Sequence, residues 1–165
     1  HTFTQLNHDK NQYQLKLLSY FESEGDREEV VDDVLLEDEV WNRIRIAPES
    51  LPQGDVEIIP STIFSRLRHT DIRPHKAQAS LLVDGEKDWI SYQINYPALK
   101  RQLTIHFSQS FPHEIQGWEE SHSSGYGPNA RTLTTKAKRK KSLMLDYWRH
   151  NSNEDLDKRA DLGLE

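Results

Sequence analysis

Residues 76–120 read KAQASLLVDGEKDWISYQINYPALKRQLTIHFSQSFPHEIQGWEE, and their pattern decides the fold class. Ala77, Ala79, Leu81 and Val83 alternate with polar or outward residues, which is the period of a half-buried strand. Asp84-Gly85 begins a turn. Ile90, Tyr92, Ile94 and Tyr96 then share one face of a second strand over residues 89–96. Pro97 to Lys100 turns the chain again, and Leu103, Ile105 and Phe107 mark a third strand with His106 on its polar face. Phe111-Pro112 interrupts and residues 113–120 resume. Ile115 and Trp118 differ in parity, so Gly117 is expected at a β-bulge. Sequential strands joined by short turns pair with their neighbours. One wet face explains the alternation. The expectation is a mainly β fold (α+β being the alternative): a curved antiparallel sheet, a half-open barrel, with one or two short helices.

Working outward, residues 2–6 form a short strand, 8–11 a turn, and Tyr13, Leu15 and Leu17 a second strand through residue 20, together a hairpin. The acidic stretch from Glu22 reads as a loop. Leu36, Val40, Trp41 and Ile44 recur at helical spacing, so a helix is expected over 35–46, ended by Pro48 and Pro52. Residues 55–59 suit a short strand, and 61–68 suit either a helix or a strand. On the other side, 121–129 read as a Gly/Ser loop and 131–148 as one long last strand or two. Residues 1–150 thus make a single antiparallel β-rich domain. Residues 151–165 are a polar tail, with Leu156, Ala160 and Leu164 spaced for one short helix. The expected core includes Trp41, Leu81, Ile105 and Phe107.

The 165 residues are 35% hydrophobic and 29% charged, with no cysteine. A chain of this length buries about 70% of its unfolded surface, so a core without staples is within reach, and thiolate chemistry is excluded. The net charge of −6 is unevenly spread. Residues 22–39 carry Glu22, Glu24, Asp26, Glu28, Glu29, Asp32, Asp33, Glu37, Asp38 and Glu39 against Arg27 alone. Residues 131–141 carry Arg131, Lys136, Lys138, Arg139, Lys140 and Lys141 with no acid. Such blocks are expected to be solvated surface, serving solubility and recognition, or to face one another. No apolar run approaches the ~20 residues of a membrane span. The chain opens at His1 rather than Met, as expected of a processed form or a piece of a longer protein.

Motifs for chemistry are incomplete. Of the eight histidines, the closest pair is His69 and His75, and no i, i+4 pair of a helical zinc site exists. The acidic stretch lacks the ligand spacing of a calcium loop, Gly25-Asp26 being too little. Glu119 and Glu120 are adjacent, so a strand sends them to opposite faces. A glycosidase pair must instead face one gap of about 5 to 9.5 Å. Ser123 to Gly127 fits no phosphate or nucleophile motif, and Pro128 removes an N–H that a phosphate cradle would use. No metal and no cofactor is therefore expected. The basic run Lys136, Lys138, Arg139 and Lys140, with Tyr147 and Trp148 beyond it, is the candidate binding surface. Its possible counterparts are anionic lipid headgroups, glycan acids or the acidic stretch. Negative net charge argues against nucleic acid. A second candidate is a polar site built from His106, His113, Glu119 and Glu120.

Several stretches, namely residues 1–7 (HTFTQLN), 19–26 (SYFESEGD), 35–39 (LLEDE), 41–45 (WNRIR), 48–52 (PESLP) and 64–69 (FSRLRH), carry a resemblance. So do 117–120 (GWEE), 132–137 (TLTTKA), 146–148 (DYW) and 153–156 (NEDL). Together they resemble an uncharacterised family of Bacteroidota cell-envelope lipoproteins. The resemblance implies a membrane-anchored lipoprotein in its full-length form, with a lipoprotein signal and an additional N-terminal region ahead of the part matched here. Family members are sometimes labelled septum formation inhibitor Maf. True Maf nucleotide pyrophosphatases carry an N-terminal Ser-x-x-Arg phosphate-binding motif on an α/β fold, and residues 1–20 match none of it, so no catalytic residue carries over. The expected function is a non-catalytic envelope binding or structural domain, with an envelope protein, glycan or lipid as partner. The alternative is a hydrolase using the His/Glu site or the Maf-type activity.

Overall fold

The meander predicted at residues 76–120 forms the middle of a seven-stranded sheet. The computed structural model describes residues 2–22, 25–83, 88–125 and 127–164. Within it β1 (Thr2–Asp9), β2 (Gln12–Ser19) and β3 (Arg27–Asp32) make a three-stranded antiparallel sheet. Next come β4 (Leu35–Leu36), α1 (Glu37–Ile46), β5 (Gly54–Ile59), α2 (Thr62–Arg68), β6 (His75–Val83), β7 (Trp89–Tyr96), β8 (Arg101–Ser108), β9 (Ile115–Ser124), β10 (Arg131–Lys138) and α3 (Asp157–Asp161). The second sheet runs β10-β9-β8-β7-β6-β5-β4. Strands make up 47% of the described residues, and the larger sheet curls into a half-barrel. The predicted turn at Asp84-Gly85 lies outside the described residues.

Alternation is what closes this fold. Tyr92, Ile94 and Tyr96 of β7 stand opposite Ile105, Leu103 and Arg101 of β8, and all turn into the hollow of the half-barrel. Val40 and Ile44 of α1 fill that hollow against Ile58, Ala77 and Ala79. Each such aliphatic or aromatic side chain, taken fully out of water, contributes about 1.5 to 3 kcal/mol. Ile105 and Phe107 are completely buried, while Trp41 and Leu81 pack only partly buried on the cluster. A smaller cluster of Tyr13, Leu15, Leu17, Val31, Ile59 and Ile72 joins the three-stranded sheet to the rest. The bulge falls where parity required it: His106 faces Gly117 but Phe107 faces Ile115. Gly117 is also buried, and a Cβ there would collide with the Ala137 carbonyl of β10.

Five expectations are corrected. The acidic stretch is not all loop, because Arg27–Asp32 pairs with β2 as β3; Val31 enters the smaller core and Lys16 reaches Glu28 at 2.9 Å. Residues 35–36 are not helix but β4, the one parallel partner in the sheet, and the helix begins at Glu37. Residues 121–124 are strand: β9 lies between β8, which pairs with it as far as His122, and β10, which pairs with it as far as Ser124, so its polar residues are held by backbone pairing. The last strand stops at Lys138, which pairs with Gly117; beyond the bulge β9 offers only one further bond, Arg139 N–H to the Gln116 carbonyl. Val83 does not turn inward; at the end of β6 it is 66% exposed. The ambiguous residues 61–68 are helical, and the tail holds a 3-10 turn at Asn153–Asp155 before α3.

Candidate functional site

Half a barrel leaves one side of its hollow open, and α2 stands over that opening. The result is a cleft of about 310 Å³ between the two helices and the β8–β9 end of the sheet. Bulge and parity set its sheet wall. Arg101 faces His122, Leu103 faces Glu120 and Ile105 faces Trp118, so Trp118, Glu120 and His122 share the concave face. The helix wall comes from Trp41 of α1 and from Ile63, Phe64, Leu67 and Arg68 of α2. Asp38 fixes the two helices together, its Oδ2 accepting from the Thr62 N–H at 3.1 Å and the Thr62 hydroxyl at 2.8 Å. Ile63 and Leu67 are 70% and 73% exposed, so the cleft mouth is apolar.

Its floor is a buried ion network. Arg101 is 3% exposed and Glu37 only 1%. Arg101 donates through Nη1 and Nη2 to the two oxygens of Glu37 at 2.5 and 2.7 Å, and through Nε to Glu120 at 2.6 Å. The Tyr96 hydroxyl donates to Glu37 at 2.7 Å. The Phe64 ring lies 4.3 Å and the Tyr96 ring 5.3 Å from the guanidinium carbon. Burial pulls Arg101 down, but the hydrogen bonds and charge of Glu37, then of Glu120, outweigh it and hold the group high. Burial, then the Glu37 charge and bond, pushes the Tyr96 phenol up. Burial alone raises Tyr92 to about 12. A carboxylate that accepts three donors from two side chains is fixed as an acceptor. Proton transfer through Glu37 would first have to break a bidentate bond.

The four residues of the predicted polar site are spread out. His106 lies on the outer face of the sheet, its Nδ1 2.7 Å from the Ser91 hydroxyl and its ring stacked on Trp89. Glu119 is also on the outer face, paired with Lys136 at 2.9 Å. His113, past the end of β8, turns its ring edge to Phe107 and its Nδ1 to the Ser108 carbonyl at 3.2 Å. Glu120 alone lines the cleft. The strand thus separates Glu119 from Glu120, as adjacency required.

The basic run pairs with β9, not with residues 22–39: Lys136 meets Glu119, and Arg139 meets Glu114 at 2.7 Å and Gln116 at 3.1 Å. Among the described residues Lys138 and Lys140 make no ion pair, and both are exposed. Tyr147 and Trp148 stand 71% and 64% exposed, with their rings packed edge to face. Replacing Lys138 and Lys140 together by alanine is therefore expected to change stability by less than about 1 kcal/mol. Urea titrations at low and high salt check this, and a loss of several kcal/mol indifferent to salt would show buried, paired bases. One acid of the first block does depart from the surface reading: Glu37 belongs to the buried network.

Glu37, Arg101, Tyr96 and Phe64 were not read as site residues from sequence. The signal was present in parity. Arg101 occupies the inward register of Leu103, Ile105 and Phe107, and Glu37 occupies the apolar stripe of Val40, Trp41 and Ile44. A charge on each of two inward faces implies a buried pair. Among the described residues no group of three or more His, Asp or Glu could hold a metal ion, and no helix is long and apolar enough to cross a membrane. No family model, curated protein or solved structure matches the chain.

Proposed function

We propose that the chain is a non-catalytic binding domain of the cell envelope whose cleft takes an anionic amphiphile. The observation that carries this is the cleft itself. Its walls are Trp41, Ile63, Phe64, Leu67 and Trp118, and on its floor the Arg101 guanidinium is hydrogen-bonded to both Glu37 and Glu120. Arg68 lines it and, among the described residues, makes no ion pair, so it is placed to meet an anionic end. Concave, mostly apolar sites with a few polar groups are the usual form of small-molecule sites. The envelope location rests on the family resemblance. The hydrolase alternative draws little support, since only Glu120 of its four residues faces the cleft, and that residue is engaged by Arg101.

Anilinonaphthalene sulfonate, an aromatic anion, is a suitable probe. Wild-type protein is expected to bind it saturably. Ile63→Asp combined with Leu67→Asp, both at exposed positions of α2, is expected to weaken that binding at least about tenfold, a 1.4 kcal/mol loss of apolar contact. Near-ultraviolet circular dichroism confirms the fold of the variant. Equal binding by a folded variant would refute the cleft as the site.

A further inference from the structure

A second cavity, of about 230 Å³, lies beside α2 against the three-stranded sheet. Thr4, Leu17 and Arg27 stand in register across β1, β2 and β3 and form one wall. Ser65 of α2 and the segment 69–72 form the other. Ser65 is 2% exposed, and its hydroxyl has no hydrogen-bond partner among the described residues. The Nε of Arg27 is likewise buried without a partner, although its Nη1 reaches Asp71 at 3.2 Å and Glu29 at 3.6 Å. Two of the three buried side-chain atoms left without partners among the described residues therefore belong to residues lining one cavity.

We propose that this cavity binds the oxyanion end of a small molecule, a carboxylate or phosphate, through the Arg27 Nε–H and the Ser65 hydroxyl. The donor chemistry selects that class. An arginine Nε–H can only donate, and a hydroxyl can turn its hydrogen to the same acceptor. A charged acceptor makes bonds about twice as strong as a neutral one. A single water takes up on the order of 30 Å³, so the cavity has room for a small molecule. Asp71 is the one carboxylate among the described lining residues, and Arg27 already engages it. Leu17 and Ile72 supply an apolar wall for an organic body. This site is separate from the cleft ligand and does not rest on it.

The test is a nuclear magnetic resonance titration of the full chain, with inorganic phosphate in one arm and acetate in the other, at constant ionic strength. At least one anion is expected to shift the Arg27 Nε–H and Ser65 amide resonances saturably. Ser65→Ala removes the hydroxyl, and Arg27→Lys keeps the charge but removes Nε–H. Each is expected to raise the dissociation constant about tenfold or more. Saturation by phosphate alone identifies a tetrahedral oxyanion site, and by acetate alone a carboxylate site. If neither anion shifts these resonances saturably, or if both folded variants bind as the wild type does, the proposal is overturned.

Discussion

Arg101→Met is expected to destabilise the protein by about 3 to 5 kcal/mol, because it strands a buried carboxylate. Glu37 loses two charge-assisted bonds and keeps only the Tyr96 hydroxyl. Nothing else described within the hollow can replace a guanidinium that sits between two aromatic rings. The cost arises from the partner left behind more than from the pair removed. Glu37→Leu combined with Arg101→Met should therefore recover part of the loss, since it removes the stranded carboxylate but leaves the buried Tyr96 hydroxyl without its acceptor and Glu120 without its guanidinium. Urea denaturation of the single and double variants measures both effects. A single-variant loss under about 1 kcal/mol would mean that Glu37 finds water, and the buried network would not be the clasp between α1 and the sheet.

The second large effect is expected at Phe107→Ala, about 3 to 5 kcal/mol. Phe107 is fully buried, faces Ile90 on one side and Ile115 on the other, and takes the edge of His113. Its removal leaves a cavity between three strands whose backbones are tied by hydrogen bonds and cannot collapse inward. Phe111→Ala is the internal control. That ring is 78% exposed, so a change within about 0.5 kcal/mol is expected. Comparable losses at the two positions in urea titration would show that the inward face of β8 is wrongly assigned.

The meander was legible because each of its strands alternates long enough to show a period of two. Tyr92, Ile94 and Tyr96 could not all face water, and the parity change between Ile115 and Trp118 located the bulge. β3 was hidden because charged Arg27 and Glu29 occupy the same face as Val31, which alone of its residues joins a core cluster. β4 is two residues long and owes its strand geometry to β5, a long-range partner that no local pattern announces. β10 continued on paper past Lys138, because the basic run has no apolar period to end; what ends it is the bulge in the neighbouring strand. The site was less legible than the fold. Charge was taken as a mark of surface, so Arg101 was passed over as a strand residue and Glu37 was counted with its exposed neighbours. The cleft depends on where α2 stands over the curled sheet, and residues 61–68 alone did not decide even their own secondary structure.

The four indole N–H resonances separate the possible binding places in one titration with anilinonaphthalene sulfonate. Trp41 and Trp118 line the cleft, Trp89 stacks on His106 on the outer face, and Trp148 lies exposed in the C-terminal segment. The binding account predicts saturable shifts at Trp41 and Trp118 with Trp89 and Trp148 unmoved; shifts at Trp89 or Trp148 while Trp41 and Trp118 stay still would contradict it.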